Sequence, residues 1–301
     1  MSVYHYNILG MDIKKIQKAQ VEILLEVDRI CKKYDIKYLL FAGSLLGTVR
    51  HKGFIPWDDD IDICLLREDY NKFIEACKMD LDPKYFLQTY ETDKNYIRQY
   101  AKIRKNNTLF VQDNLSEIQI HHGIFIDIFP MDNVLPNTFR GMFQQKLMWI
   151  VGIINLSRVK KICLNVKNPV EKFLMLVCHY ITKIIPKNWT DKLQTQIACM
   201  FQNQETKYVS HLTGGAAKRK YIKYMVKRDI FHNTIDGEFE GYVFPIPKDY
   251  DFILSKIYGD YMTLPPIEER KSHHGIIKVD LDTTNSQFKD VCKEKTAGDV
   301  R

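Results

Sequence analysis

The chain has 301 residues, 45% of them hydrophobic and 27% charged, with a net charge of +7 and a pI near 8.8. That length and apolar fraction exclude a disordered chain. They support one large domain, or a catalytic domain with an addition, around an ample core. The basic residues are dispersed and no nucleic-acid module is present, which argues against nucleic acid as a partner and fits anionic substrates or an anionic membrane surface.

Seven cysteines, odd in number, widely spaced and without a CxxC pair, exclude a disulfide framework and a zinc site. Met1–Gly10 is polar and aromatic rather than leader-like, so a cytoplasmic chain is expected. The apolar runs near Leu147–Leu156 and Phe173–Ile185 are too short or too interrupted to cross a bilayer.

In chain order, the spacing of Ile13, Ile16, Ile23, Val27 and Ile30 predicts an amphipathic helix over Asp12–Tyr34, with Asp12 as N-cap. Lys37–Ala42 reads as a short strand ended by Gly43-Ser44. Leu45–Arg50 then reads as a short helix whose first amides, with the Ser44 hydroxyl, form an anion site. His51–Trp57 is a loop broken by Gly53 and Pro56. Four aspartates follow within five positions: Asp58, Asp59, Asp60 and Asp62. In a strand over Asp60–Leu65, Asp60 and Asp62 share a face. Paired carboxylates resist ionisation without a cation, and hard oxygens at this spacing suit Mg²⁺.

A second helix is expected over Glu68–Asp82, followed by strands at Tyr85–Tyr90, Ile97–Ile103 and Thr108–Gln112. Lys102 and Arg104 alternate with Ile103, so they lie on one strand face, exposed or turned to phosphates. Gly123–Pro130 is an apolar strand holding one acid, Asp127. It either caps a buried network or completes the carboxylate set, and Asp132 is expected in a turn beyond it. Phe139–Val226 is helical in character and broken by Pro169 and Pro186, with basic runs at Arg158–Lys167 and Lys218–Arg228. It suits a lid, an acceptor-binding cap or a membrane-facing subdomain. Tyr242–Pro247 reads as an edge strand, Asp249–Tyr258 as a helix ended by Gly259, and the tail from Asp280 as polar. The expected organisation is α+β. A catalytic core spans 1–138 and a helical subdomain 139–235, a segment over 236–279 returns to the core, and a tail spans 280–301.

The stretch GSLLGTVRHKGFIPWDDDIDICLLREDY (Gly43–Tyr70) resembles the signature of the LicD family of phosphotransferases, and GIFIDIFPMD and the segment from Phe239 to His274 resemble other parts of it. Ser44 stands where that family often has Thr. The resemblance implies a nucleotidyltransferase-like mixed sheet with flanking helices plus a helical insertion. The pattern is Gly43-Ser44, then Asp60 and Asp62, then Asp127, as catalytic residues and ligands to one or two Mg²⁺ or Mn²⁺ ions.

It also implies transfer of a substituted phosphate from a CDP-alcohol, CDP-choline foremost, to a sugar hydroxyl of a glycan or lipid-linked precursor, at the inner membrane face. Ethanolamine, glycerol or ribitol donors, or nucleotidyl transfer to a small molecule, are the alternatives. Arg50, Lys52 and Lys102 would offset diphosphate charge. Trp57, Tyr258 and Tyr261 could hold a trimethylammonium, and His273 or His274 could reach the site.

Overall fold

The computed structural model describes residues 6–213, 218–272 and 274–282, with the backbone alone over 218–220. After a two-residue hairpin, β1 (Asn7–Ile8) with β2 (Met11–Asp12), helix α1 runs over Ile13–Lys33. Its N-cap is Asp12, whose side chain accepts the Lys14 N–H at 3.0 Å. Strand β3 is only Leu39–Leu40. Helix α2 (Ala42–His51) begins earlier than expected, so Gly43 and Ser44 lie in its first turn rather than in a free turn. Ala42 enters that helix at φ +46°, a left-handed conformation that L residues rarely adopt.

Strand β4 (Asp62–Leu66) leads into α3 (Arg67–Asp80), and β5 (Tyr85–Gln88), β6 (Ala101–Lys105), β7 (Leu109–Gln112) and β8 (Phe125–Val134) follow. With β9 (Tyr208–Ser210) and β10 (Val226–Lys227) from later in the chain, the main sheet has the order β10-β9-β8-β4-β3, with β6 also on β8 and β5 beyond it. It is mixed: β4 and β8 are parallel, and the other pairings are antiparallel. This is the α+β mixed sheet with flanking helices that the pattern implies.

Strand β8 is longer than the sequence suggests. One edge pairs with β6 as far as Ile128 and with β9 (Tyr208–Ser210) from Asp132 onward. Pro130, which has no N–H to donate, falls in the gap between those pairings. Asp132 is therefore a strand residue and not a turn. It is fully buried and takes a two-pronged bond from Arg67 at 2.7 and 2.9 Å. Lys102 and Arg104 are likewise not on an exposed face, being 2% and 1% exposed.

The stretch after β8 is not wholly helical. Helices α4 (Phe139–Ser157), α5 (Lys160–Leu164), α6 (Pro169–Ile181) and α7 (Lys187–Ala198) give way to β9, α8 (Lys218–Lys223) and β10 (Val226–Lys227). The side chains of Lys218, Arg219 and Lys220 lie outside the described residues. Val134, Met148, Val151 and Ile197 make a small core for this region, apart from the main one. Strand β12 (Tyr242–Pro247) forms its own hairpin with β11 (Thr234–Phe239) instead of edging the main sheet. After α9 (Tyr250–Tyr258), which stops at Gly259 with φ +72°, β13 (Ile276–Asp280) returns to pair with β7.

Candidate active site

Sheet register builds the centre. Asp62 is the parallel neighbour of Asp127, and Lys102 is the antiparallel neighbour of Asp127 on its other side. Register partners share a face, so the two carboxylates and the ammonium converge. The Asp127 N–H donates to Ile61 O at 2.8 Å, which locks the register at this point. Lys102 Nζ bonds the Asp127 carboxylate and lies 3.3 Å from the centroid of the Phe125 ring.

Asp60 arrives from the loop before β4. Two glutamines of α1 brace that loop: Gln17 Nε2 donates to Asp58 O at 2.9 Å and Gln20 Nε2 to Asp59 O at 2.7 Å. The carboxylates of Asp60, Asp62 and Asp127 offer oxygens that all lie within 4.8 Å of one another.

Ser44 has a definite task. Its Oγ accepts the Asp62 N–H at 2.8 Å, which fixes the start of β4 and leaves the hydroxyl hydrogen free to donate. A Cβ at Gly43 would sit 2.8 Å from Asp58 Oδ2, so glycine admits that carboxylate against the helix start.

Charge is crowded here. Burial, reinforced by Asp60, Asp127 and Asp58, pushes the Asp62 carboxyl well above its usual range. Burial with Asp60 and Asp59 does the same to Asp58, and burial raises Asp60. Burial pulls the Lys102 ammonium down to about 8 although Asp127 supports it. Such a set resists full ionisation on its own and fits a hard divalent cation such as Mg²⁺ or Mn²⁺.

A second cluster joins the first through Asp60. His274 Nδ1 lies 2.9 Å from Asp59 Oδ1 and its Nε2 lies 3.5 Å from Asp60 Oδ2, while Ser272 Oγ donates to Asp59. Burial opposes charge on His274, but Asp60 and Asp59 outweigh it and raise the imidazole to about 9. Asp59 is itself held below its usual range: burial raises it, and the bond from His274 more than offsets that. The pairing of β13 with β7 delivers this segment, more than two hundred residues away in sequence, onto the aspartate loop. His273 lies outside the described residues. An adjacent pair of histidines offers no sequence signal for which one turns inward.

The other residues singled out in sequence divide. Tyr258 keeps 39% of its surface exposed. Its ring and that of Tyr224 both face the Lys223 ammonium, at 5.4 and 5.6 Å. Burial, then the charges of Asp62 and Asp60, raise the Tyr224 hydroxyl. Arg50 donates to Tyr261 O at 2.6 Å and to His51 at 2.9 Å. Lys52 pairs with Glu238 on the β11–β12 hairpin at 3.2 Å rather than with the aspartates. Trp57 is 7% exposed, packed on Tyr6, with the Arg270 guanidinium 5.5 Å from its ring. Tyr261 is buried and bonds Asp251. Arg104 bonds Gln88 and the Gly123 carbonyl, which makes it a brace of the sheet.

Residues 35–151 match the family model described as LicD/FKTN/FKRP, nucleotidyltransferase domain. The chain is 31% identical over 269 residues to the lipopolysaccharide cholinephosphotransferase LicD of Haemophilus influenzae, an alignment that covers 88% of this chain and 96% of that protein. Uncharacterized proteins of Rickettsia prowazekii and Rickettsia typhi are each 44% identical over 48 residues, 16% of this chain and 18% and 16% of theirs. With the carboxylate trio lying inside the matched domain and the similarity to a cholinephosphotransferase running over most of its length, the chain belongs to the LicD family of phosphotransferases.

Proposed function

We propose that this enzyme transfers phosphocholine from CDP-choline to a sugar hydroxyl of a cell-surface glycan or its lipid-linked precursor, with CMP leaving. The observation that carries the reading is the convergence of Asp60, from the loop before β4, with Asp62 and Asp127 on neighbouring strands, in a chain similar along most of its length to a lipopolysaccharide cholinephosphotransferase.

In the reaction, the acceptor hydroxyl oxygen bonds the phosphorus that carries choline. The bond from that phosphorus to the bridging oxygen breaks, its electron pair leaves with CMP, and the hydroxyl proton passes to a base. Phosphoryl-group transfer asks the protein mainly for positioning and charge neutralisation. Asp60, Asp62 and Asp127 would hold one or two Mg²⁺ or Mn²⁺ ions, which when bound supply neutralisation of the donor diphosphate.

The chain's own residues do the rest. Asp127 takes the acceptor proton, directly or through water, with Lys102 keeping the carboxylate oriented. The Lys102 ammonium, held on Asp127, would offset negative charge that grows on the leaving phosphate. Ser44 donates its remaining hydrogen to a phosphate oxygen while it fixes Asp62. Tyr224 and Tyr258 already face an ammonium, that of Lys223, and a choline headgroup would compete for the same rings by cation–π attraction. Arg50 is held at the Tyr261 carbonyl, close to the end of α9 that carries Tyr258.

The experiment is incubation with CDP-choline, CDP-ethanolamine, CDP-glycerol and CDP-ribitol, with Mg²⁺ or with EDTA and with candidate sugars present, scoring CMP. Metal-dependent CMP release, greatest from CDP-choline, is expected. Release from another member alone reassigns the donor. Silence with CDP-alcohols, together with pyrophosphate release from nucleoside triphosphates, overturns the reading in favour of nucleotidyl transfer.

A further inference from the structure

Helices α4 and α6 carry their apolar residues on the wrong side for a protein in water. In α4 the buried positions are Gly141, Gln144, Met148, Val151, Gly152, Asn155 and Ser157, mostly small or polar. Its solvent side holds Phe139, Met142, Phe143, Trp149 and Ile150, from 41% to 80% exposed. Those positions, at i, i+3, i+4, i+10 and i+11 from Phe139, fall on one helix stripe. Helix α6 has no buried residue at all. Its Val170, Phe173, Leu174, Val177, Tyr180 and Ile181 repeat the same spacing, from 42% to 67% exposed. Ile184 and Trp189, just beyond, are 83% and 60% exposed. Single exposed apolar residues are ordinary, whereas two helices with stripes of this kind mark a docking surface.

Charge selects the occupant. Between residues 139 and 190 the chain has nine Lys and Arg and one acid, Glu171. Of these, Arg140, Lys146, Lys160, Lys167 and Lys183 are exposed. Two copies meeting through this region would bring like charges together, while an anionic lipid surface complements it. No described helix is long and apolar enough to cross a membrane. The 13 residues of α6 span only roughly 20 Å, against about 30 Å of hydrocarbon.

We propose that α4 and α6 form an interfacial docking surface for an anionic bilayer, lying in its headgroup region with the aromatic and aliphatic stripes inserted. The proposal stands on exposure and charge alone and does not depend on the donor assigned above.

The test is sedimentation of the full chain with vesicles of phosphatidylglycerol and phosphatidylethanolamine in equal parts, compared with phosphatidylcholine vesicles, while tryptophan emission is read. Binding to the anionic vesicles, a blue shift from Trp149 and Trp189, and weakening by high salt are expected. The exposed pair Phe173→Ser with Leu174→Ser should lower the partition constant at least about tenfold, as loss of two inserted side chains requires. Lys160→Glu with Lys167→Glu and Lys183→Glu should lower it on anionic vesicles specifically. Circular dichroism on each variant should match the parent, since none of these side chains is buried. Failure to bind anionic vesicles overturns the proposal, as does binding that the serine pair leaves unchanged. Concentration-dependent dimerisation abolished by that pair, without vesicle binding, also overturns it and assigns the surface to a second copy of the chain.

Discussion

Asp62→Asn should move stability and activity in opposite directions. The Asp62, Asp60 and Asp127 oxygens lie within 4.8 Å of one another, and Asp62 is the carboxyl on which burial and neighbouring charge press upward. Two unit charges 4.8 Å apart repel by about 3.5 kcal/mol at an effective dielectric constant near 20. Partial protonation and the Lys102 ammonium relieve some of that repulsion. Removing the charge with an isosteric amide should therefore stabilise the metal-free protein by about 1–3 kcal/mol, or roughly 2–6 °C in Tm for a chain of this size.

Magnesium should reverse the comparison. At about a hundredfold excess over its Kd, a ligand that binds only the folded state adds about 2.7 kcal/mol to the parent, and the amide variant should gain almost nothing. Turnover should fall at least about 10²-fold. The assay is thermal unfolding at pH 7 of parent and variant, each with EDTA and with Mg²⁺, beside CMP release. A variant less stable than the parent in EDTA would refute the repulsion argument, and an equal Mg²⁺ shift in both proteins would refute the placing of the ion.

Other outcomes can be checked alongside. Asp132→Ala leaves the Arg67 guanidinium buried and unpaired, so denaturant unfolding should show a loss of about 3–5 kcal/mol. The raised imidazole of His274 contributes stability that is fully present below pH 6.5 and is lost as pH rises through about 9. His274→Gln should therefore flatten the pH–stability profile of the metal-free protein across that window, as followed by denaturant midpoints. Tyr258→Ala should raise KM for CDP-choline about 2–30-fold, the equivalent of about 0.5–2 kcal/mol of cation–π attraction, and change KM for CDP-glycerol little. Gly43→Ala places a Cβ 2.8 Å from Asp58 Oδ2 and should lower turnover with little change in Tm, because Asp58 has to move.

The local order of this chain was legible because local order rests on periodicity and caps. The apolar spacing of α1, the Asp12 cap and the Gly259 stop all lie within a few residues of the elements they govern. The boundaries that shifted were set from farther away. Ser44 lies in a helix because its hydroxyl is tied to the Asp62 amide, eighteen residues on. Strand β8 runs past Pro130 because β9, far along the chain, takes up its edge beyond Asp132. Lys102 and Arg104 look like an exposed basic face because alternation does not tell a solvent face from a second buried layer. Their partners, Asp127, Gln88 and the Gly123 carbonyl, come from other strands.

By itself the sequence determined which groups are candidates: a dense aspartate loop before an apolar strand, with one further acid in a second apolar strand. Gathered beside apolar strands, such carboxylates are costly to bury without a compensating partner. The tertiary structure decided which groups meet. Parallel register set Asp127 beside Asp62, antiparallel register set Lys102 on the opposite side, and the return of β13 placed His274 on Asp59 and Asp60. It also decided that the large apolar residues of α4 and α6 face outward. A helix stripe has the same period whether it packs on protein or on lipid, and only the fold says which side is covered.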